Sequence, residues 1–139
     1  MTDTEPAGAE DDPGPDGVVE MRVPADVGYV STLRLTAASL GARCGLTIDD
    51  IEDLRLAVDE ACALLLPLAD ADTTLDLHFR LAGAHLAVEA SVRSAGDAEP
   101  DRSGFAWTVL GALANTVAVA RDGTRLTITV TKSREAATH

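Results

Sequence analysis

The chain has 139 residues, about the size of one domain, which argues for a single core. Apolar residues make up 46% and charged residues 24%, a globular balance, but Tyr29, Phe79, Phe105 and Trp107 are the only aromatics, so small aliphatic side chains must do the packing. A net charge of −12 repels phosphate backbones and anionic lipid surfaces, which argues against nucleic acid or a membrane as a direct partner.

The charge is unevenly spread. Residues 1–20 hold seven acids and no base, so the remainder carries a net charge of only −5. Residues 1–17 combine three prolines, three glycines and six acids with almost nothing apolar, and are expected to form a disordered acidic tail. Cys44 and Cys62, with no apolar stretch behind Met1, point to buried thiols in a reduced cytoplasmic compartment; a Cys44–Cys62 disulfide is the alternative. The uncharged run from Ser103 to Ala120 is too polar and too short to span a bilayer, and suits a helix followed by a strand.

Order is expected from Val18. Val19, Met21 and Val23 alternate with Glu20 and Arg22, the period-two pattern of a strand with one buried face, and Pro24 ends it. Asp26 can cap a first helix with Val30, Leu33, Ala37, Leu40 and Cys44 along one face and Gly45 just beyond. Thr47 caps a second, with Asp49 and Asp50 at its positive end and a stripe of Ile51, Leu54, Val58, Ala61, Leu65 and Leu68 that Pro67 should cut near Leu66. From Thr74 the period returns to two. Leu75, Leu77, Phe79 and Leu81, a turn at Gly83, then Leu86, Val88, Ala90 and Val92 make a hairpin. A polar loop from Ser94 to Ser103 leads to a short third helix with Ala106, Val109, Leu110 and Leu113. Val117 and Val119, the Asp122-Gly123 turn, and Leu126, Ile128 and Val130 close a second hairpin. Strand, two helices, hairpin, loop, helix, hairpin is the order of an α+β protein: a two-layer sandwich with a mostly antiparallel, mixed sheet covered on one face by three helices. The domain is expected over residues 18–132, with a flexible tail at 133–139.

Asp59-Glu60 is the one charged pair between Leu56 and Ala69. Glu60 lies a turn from both Leu56 and Leu64, so its carboxylate should stand beside apolar surface, where lost hydration raises its affinity for a proton and suits it to general-base work. An acid at a helix edge with its head in solvent is the plainer explanation. There is no phosphate-binding glycine motif of the dinucleotide or P-loop type, and His78, His85 and His139 are scattered over strand, turn and tail, so no zinc-type metal site is expected.

Several stretches, taken together, carry more information than any one of them: Arg34–Leu40, Asp53–Ala61 with Glu60, Gly96 behind a Val-Arg strand end, Ser103-Gly104 ahead of the third helix, and Gly123-Thr124 at the mouth of the last strand. Their order and spacing resemble the GHKL-type ATP-binding fold, and within it the bacterial anti-sigma factors that double as serine kinases, the run around Glu60 being most similar to actinobacterial members. The resemblance covers residues 18–132. It implies Glu60 as the catalytic acid, a nucleotide pocket drawn from Glu60, Ser94, Gly96, Gly104, Gly123 and Thr124, and Arg34 on the first helix as the contact to a partner.

The chain departs from that pattern at the polar contacts. Leu64 stands where the family's magnesium-holding asparagine belongs, and leucine offers a hard cation no ligand. Ser94 replaces the adenine-reading aspartate, a loss of about 1–2 kcal/mol or close to tenfold in affinity. Ala98 and Ala106 stand at family glycines, and seven residues between Gly96 and Gly104 make a short lid. ATP with Mg2+ is therefore expected to bind weakly. The resemblance implies an anti-sigma factor that sequesters an RNA polymerase sigma factor and is released by an anti-anti-sigma protein of the STAS type; the alternative is an active ATP-dependent serine/threonine kinase acting on that antagonist. A homodimer through the first helix and the N-terminal strand edge is also allowed.

Overall fold

The computed structural model describes residues 16–134. Strand β1 (Asp16–Pro24) leads through a 3-10 turn at Val27–Tyr29 to α1 (Val30–Arg43) and α2 (Ile48–Leu65). Strands β2 (Thr74–Ala82) and β3 (His85–Arg93), helix α3 (Phe105–Leu113), and strands β4 (Thr116–Asp122) and β5 (Arg125–Ser133) follow. One sheet runs in the order β1-β2-β3-β5-β4.

Each neighbouring pair is antiparallel, so the mixed sheet expected from the sequence has no parallel pair. The reason lies in the return path: α3 and β4 carry the chain out to the edge, and the tight turn after Asp122 brings β5 back between β4 and β3. The ladder also starts earlier than expected. Asp16 and Gly17, assigned to the tail from composition, pair with Ala82 and Leu81; residues 1–15 lie outside the described residues. At the other end Ser133 belongs to β5, and the Arg134 amide donates to the Ala84 carbonyl, while residues 135–139 also lie outside. His85, expected in a turn, is the first residue of β3, bonded through Nδ1 to the Ser133 hydroxyl.

The alternating rows sort cleanly. Leu75, Leu77, Phe79 and Leu81 of β2, Leu86, Val88, Ala90 and Val92 of β3, and Leu126, Ile128 and Val130 of β5 are all buried beneath the helices. β1 is less well covered: Met21 and Val23 are half-buried, but Val18 and Val19 are exposed, so the buried face expected for this strand forms only near its end.

Local signals set the helix ends. Asp26 Oδ1 accepts from the Gly28 amide at 2.8 Å and so caps the 3-10 turn rather than α1 itself. After Cys44, Gly45 takes the left-handed conformation at φ +75°, and the amides of Gly45 and Leu46 bond back to Ala42 and Gly41 in a Schellman arrangement. Thr47 accepts from the Asp50 amide at 3.0 Å to open α2. Pro67 ends α2 at Leu65, and the chain makes one further 3-10 turn over Leu66–Leu68. At Gly41 an added Cβ would come within 3.3 Å of Ile51 and Leu46 side chains, so α1 and α2 approach closely there. Cys44 and Cys62 are buried free thiols, and burial pushes Cys62 up to about 12. Among the described residues no helix is long and apolar enough to cross a membrane.

Two polar centres stand out, one between sheet and helices and one across the strands of the open face. Lys132, the one lysine of the sequence, points inward from β5, donates to Asp53 of α2 at 3.2 Å and to the Leu113 carbonyl at 2.8 Å, and stands 3.9 Å from Asp50. It thereby caps the end of α3 and holds it to the start of α2. On the opposite face Asp76, with 8% of its side chain exposed, accepts from Arg22 at 3.0 Å, Arg125 at 3.1 Å and the Thr74 hydroxyl at 2.8 Å. Burial alone would raise its pKa; the hydrogen bonds from Thr74, Arg125 and Arg22 outweigh that and lower it.

Lys132→Met leaves the Leu113 carbonyl and two acids without their cation, and is expected to lower the unfolding free energy by about 1–3 kcal/mol in urea titration. Asp76 has a depressed folded pKa, so its stabilisation is full above the ordinary carboxylate range and is lost as pH falls below about 4. Asp76→Asn is expected to be less stable at pH 7 by about 1–3 kcal/mol, with the gap to wild type closing on acidification towards about pH 2 in parallel unfolding titrations.

Candidate functional site

The residues expected to hold a nucleotide fall into two groups. The first gathers where β3 ends and β5 begins. Ser94 is buried; its amide donates to the Thr124 carbonyl at 2.7 Å and its carbonyl accepts from Arg121 Nη1 at 2.6 Å. Gly123, at φ +62°, forms the tight turn with Thr124. Gly96 has φ +81° with open space about it, a backbone state that strains any side chain. Ser94, Gly123 and Thr124 are thus brought together, with Gly96 two residues further along the loop.

The second group lies on the helical layer. Glu60 sits on α2, half-buried, and makes no hydrogen bond or ion pair among the described residues. Leu64, one turn on, is packed against the core, but Leu56, one turn back, is exposed. The apolar surround expected for the acid is therefore one-sided. Gly104 precedes α3 as its N-cap, in extended geometry at φ −84°, and α3 packs against α2. No hydrogen bond links Glu60 to the Ser94 group among the described residues.

Arg34 is half-buried on α1, and its Nε lies 3.9 Å from Asp59 Oδ1, so it leans towards α2 with part of its side chain still exposed. The exposed side chain beside it is Leu35.

Sequence reasoning missed three residues that hold the loop between β3 and α3. Arg121 occupies an inward position of β4, after Val117 and Val119, and from that edge its guanidinium reaches the carbonyls of Ser94, Ala98 and, at 3.4 Å, Gly123. A cation continuing an apolar inward row was the available signal. Asp70, just after α2, accepts from the Ala95 amide at 3.0 Å, while its own amide donates to the Arg93 carbonyl. Asp101 accepts from the Ser103 hydroxyl at 2.7 Å and the Ser103 amide at 3.0 Å, and these bonds hold its carboxyl below the usual range. An added Cβ on Gly104 would come within 2.9 Å of Asp101 Oδ2. A carboxylate thus already stands beside the positive end of α3, where a phosphate would otherwise approach. Arg102, stacked 5.5 Å from the Trp107 ring centre, adds a further restraint.

This donor set does not fit a magnesium ion. Leu64 presents carbon where an oxygen ligand is needed, and the described residues contain no group of three or more acids, histidines or cysteines able to hold a metal. The hollows of about 250 and 300 Å³ both lie on the open face of the sheet, away from Glu60.

Comparison with known proteins agrees with the architecture. Over stretches of 44 residues the chain is 52% identical to the serine-protein kinase RsbW of Bacillus velezensis and to that of Bacillus subtilis, and 48% identical to that of Bacillus thuringiensis. Each stretch is 32% of this chain and 28% of the relative, so the chain matches under a third of the length of these curated proteins. Among solved structures, the RsbU and RsbW domains of a Mycobacterium tuberculosis protein superimpose with a TM-score of 0.67 at 18% identity, over 88% of this chain and 34% of that one, a likeness of fold. Residues 23–132, most of the described chain, match the histidine kinase-like ATPase domain, and the chain belongs to that family.

Proposed function

We propose that this chain is an anti-sigma factor: it binds and sequesters an RNA polymerase sigma factor, an anti-anti-sigma protein of the STAS type displaces it, and a weakly held nucleotide adjusts the exchange. The setting of Glu60 carries this reading. The acid stands on α2, but the next turn offers the core-packed Leu64, which supplies no oxygen to a metal held beside Glu60. Phosphoryl transfer rests on positioning and on metal-assisted neutralisation of charge. An acid without that support serves binding better than turnover.

The Ser94, Gly96, Gly123 and Thr124 end supplies the purine side of the weak site, and Gly104 the phosphate side, where Asp101 competes with the ligand's charge. Arg34 and exposed Leu35 on α1 form the docking surface for the sigma factor, and the net negative body favours a basic DNA-binding partner. The outer edge of β1, unpaired in this sheet, is the natural seam for a homodimer.

Arg34→Glu sets a second carboxylate beside Asp59 and is expected to weaken capture of the sigma factor by about tenfold or more in calorimetry. Its melting temperature should change little, since an ion pair this exposed contributes at most about 1 kcal/mol. Unchanged capture removes Arg34 from the interface. The kinase alternative has its own assay: with γ-labelled ATP, magnesium and the antagonist, no label transfer is expected, and ATP affinity should be the same with and without magnesium. Transfer that Glu60→Gln abolishes would make the chain a serine/threonine kinase with Glu60 as its base.

A further inference from the structure

The open face of the sheet carries a charged hollow that shares only Thr124 with the proposed nucleotide site. Where β2 begins and β3 ends, Arg22, Arg93 and Arg125 come together with Thr73, Thr74 and Thr124 around a hollow of about 250 Å³, with Asp76 buried among them. Register dictates the meeting. Arg22 stands opposite Asp76, and Arg93 stands directly opposite Arg125. Like charges in that cross-strand position repel, and the sheet retains the arrangement without a second acid bonded to it. Asp122, opposite Arg125 on β4, is exposed and makes no ion pair among the described residues.

We propose that this hollow binds a phosphate dianion, free or as a small phosphomonoester. Asp76 occupies Nε and Nη2 of Arg22 and Nη2 of Arg125, which fixes both guanidinium planes and leaves their other N–H groups unused by it. Arg93 has no carboxylate partner among the described residues. Three guanidinium groups against one carboxylate leave two positive charges in a body that is otherwise acidic. Planar N–H forks match phosphate oxygens, and the flanking threonine hydroxyls supply further donors. The volume, about 250 Å³, falls below the roughly 300–1,000 Å³ of sites for larger organic ligands, which suits a compact anion. The adjoining hollow, lined by Glu20, Arg22, Asp76 and His78, differs in charge: Glu20 lies 3.5 Å from His78 and acids balance bases there, so it offers an anion no such field.

The site stands on the sheet face opposite Glu60 and α3 and shares only Thr124 with the proposed nucleotide site, so shifts at Thr73–Asp76 and Arg93 test it separately from the anti-sigma reading. Full-length protein is titrated with inorganic phosphate and with O-phosphoserine at constant ionic strength and followed by amide NMR. Saturable shifts are expected at Thr73–Asp76, Arg93 and Thr124–Arg125. Arg93→Glu is expected to weaken the apparent affinity by about tenfold or more, and Arg93→Ala by a smaller factor should the reversal disturb folding. Tighter binding of phosphoserine assigns the site to a phosphomonoester; equal binding assigns it to the free ion. Identical shifts with chloride, shifts confined to the surroundings of Glu60 and Gly104, or wild-type affinity in both Arg93 variants would overturn the proposal.

Discussion

The architecture depends on one constraint: the sheet has a single apolar face, and all three helices must lie on it. The inward rows of β2, β3 and β5 are buried almost completely, and among the described residues no other surface offers the helices comparable apolar area. Once α1, α2 and α3 share that face, Glu60 is fixed on the helical layer above the sheet and the β4–β5 turn is fixed beside the exit of β3. The same constraint hands the other face to solvent, where polar side chains pair across strands: Arg22 and Arg125 with Asp76, Arg80 with Glu89, His78 with Glu20.

Polar contacts then lock what apolar burial leaves adjustable. Burial is non-directional, and by itself would let α3 slide along α2. Lys132 prevents this by bonding the last turn of α3 and Asp53 near the start of α2 from one inward-facing position on β5. At the opposite end of the sheet Arg121 and Asp70 hold the loop between β3 and α3 from its two sides. The loop is short and its carbonyls are already occupied by a guanidinium, so a nucleotide entering there exchanges internal hydrogen bonds for its own. The proposed weak nucleotide site is consistent with that competition.

Glu60 illustrates how a retained residue changes meaning with its surroundings. Its position within the Asp53–Ala61 run supports the family resemblance, and family membership is established over residues 23–132. Its chemistry depends on surroundings that the run by itself does not reveal: Leu64 packed against the core, Leu56 towards solvent, Asp59 turned to Arg34. An isolated acid in that setting is better suited to recognition than to moving a phosphoryl group.

The sequence determined the elements and their sidedness. Periods of two and of three to four residues, Thr47, Gly45, Pro67 and the Asp122-Gly123 turn act within a few residues of chain, and β2 runs from Thr74 as its alternation predicts. It also marked Glu60 and the glycine turns, whose spacing is local. Asp76, Lys132 and Arg121 were beyond it, because each has partners more than fifteen residues away that only pairing register brings close. The neighbour of Arg34 was beyond it for the same reason: a helix pattern tells which face a residue occupies, but only the packing of α1 on α2 decides that Asp59 stands beside it. Charges act through space, so their roles wait for the tertiary structure, while apolar periodicity is written along the chain.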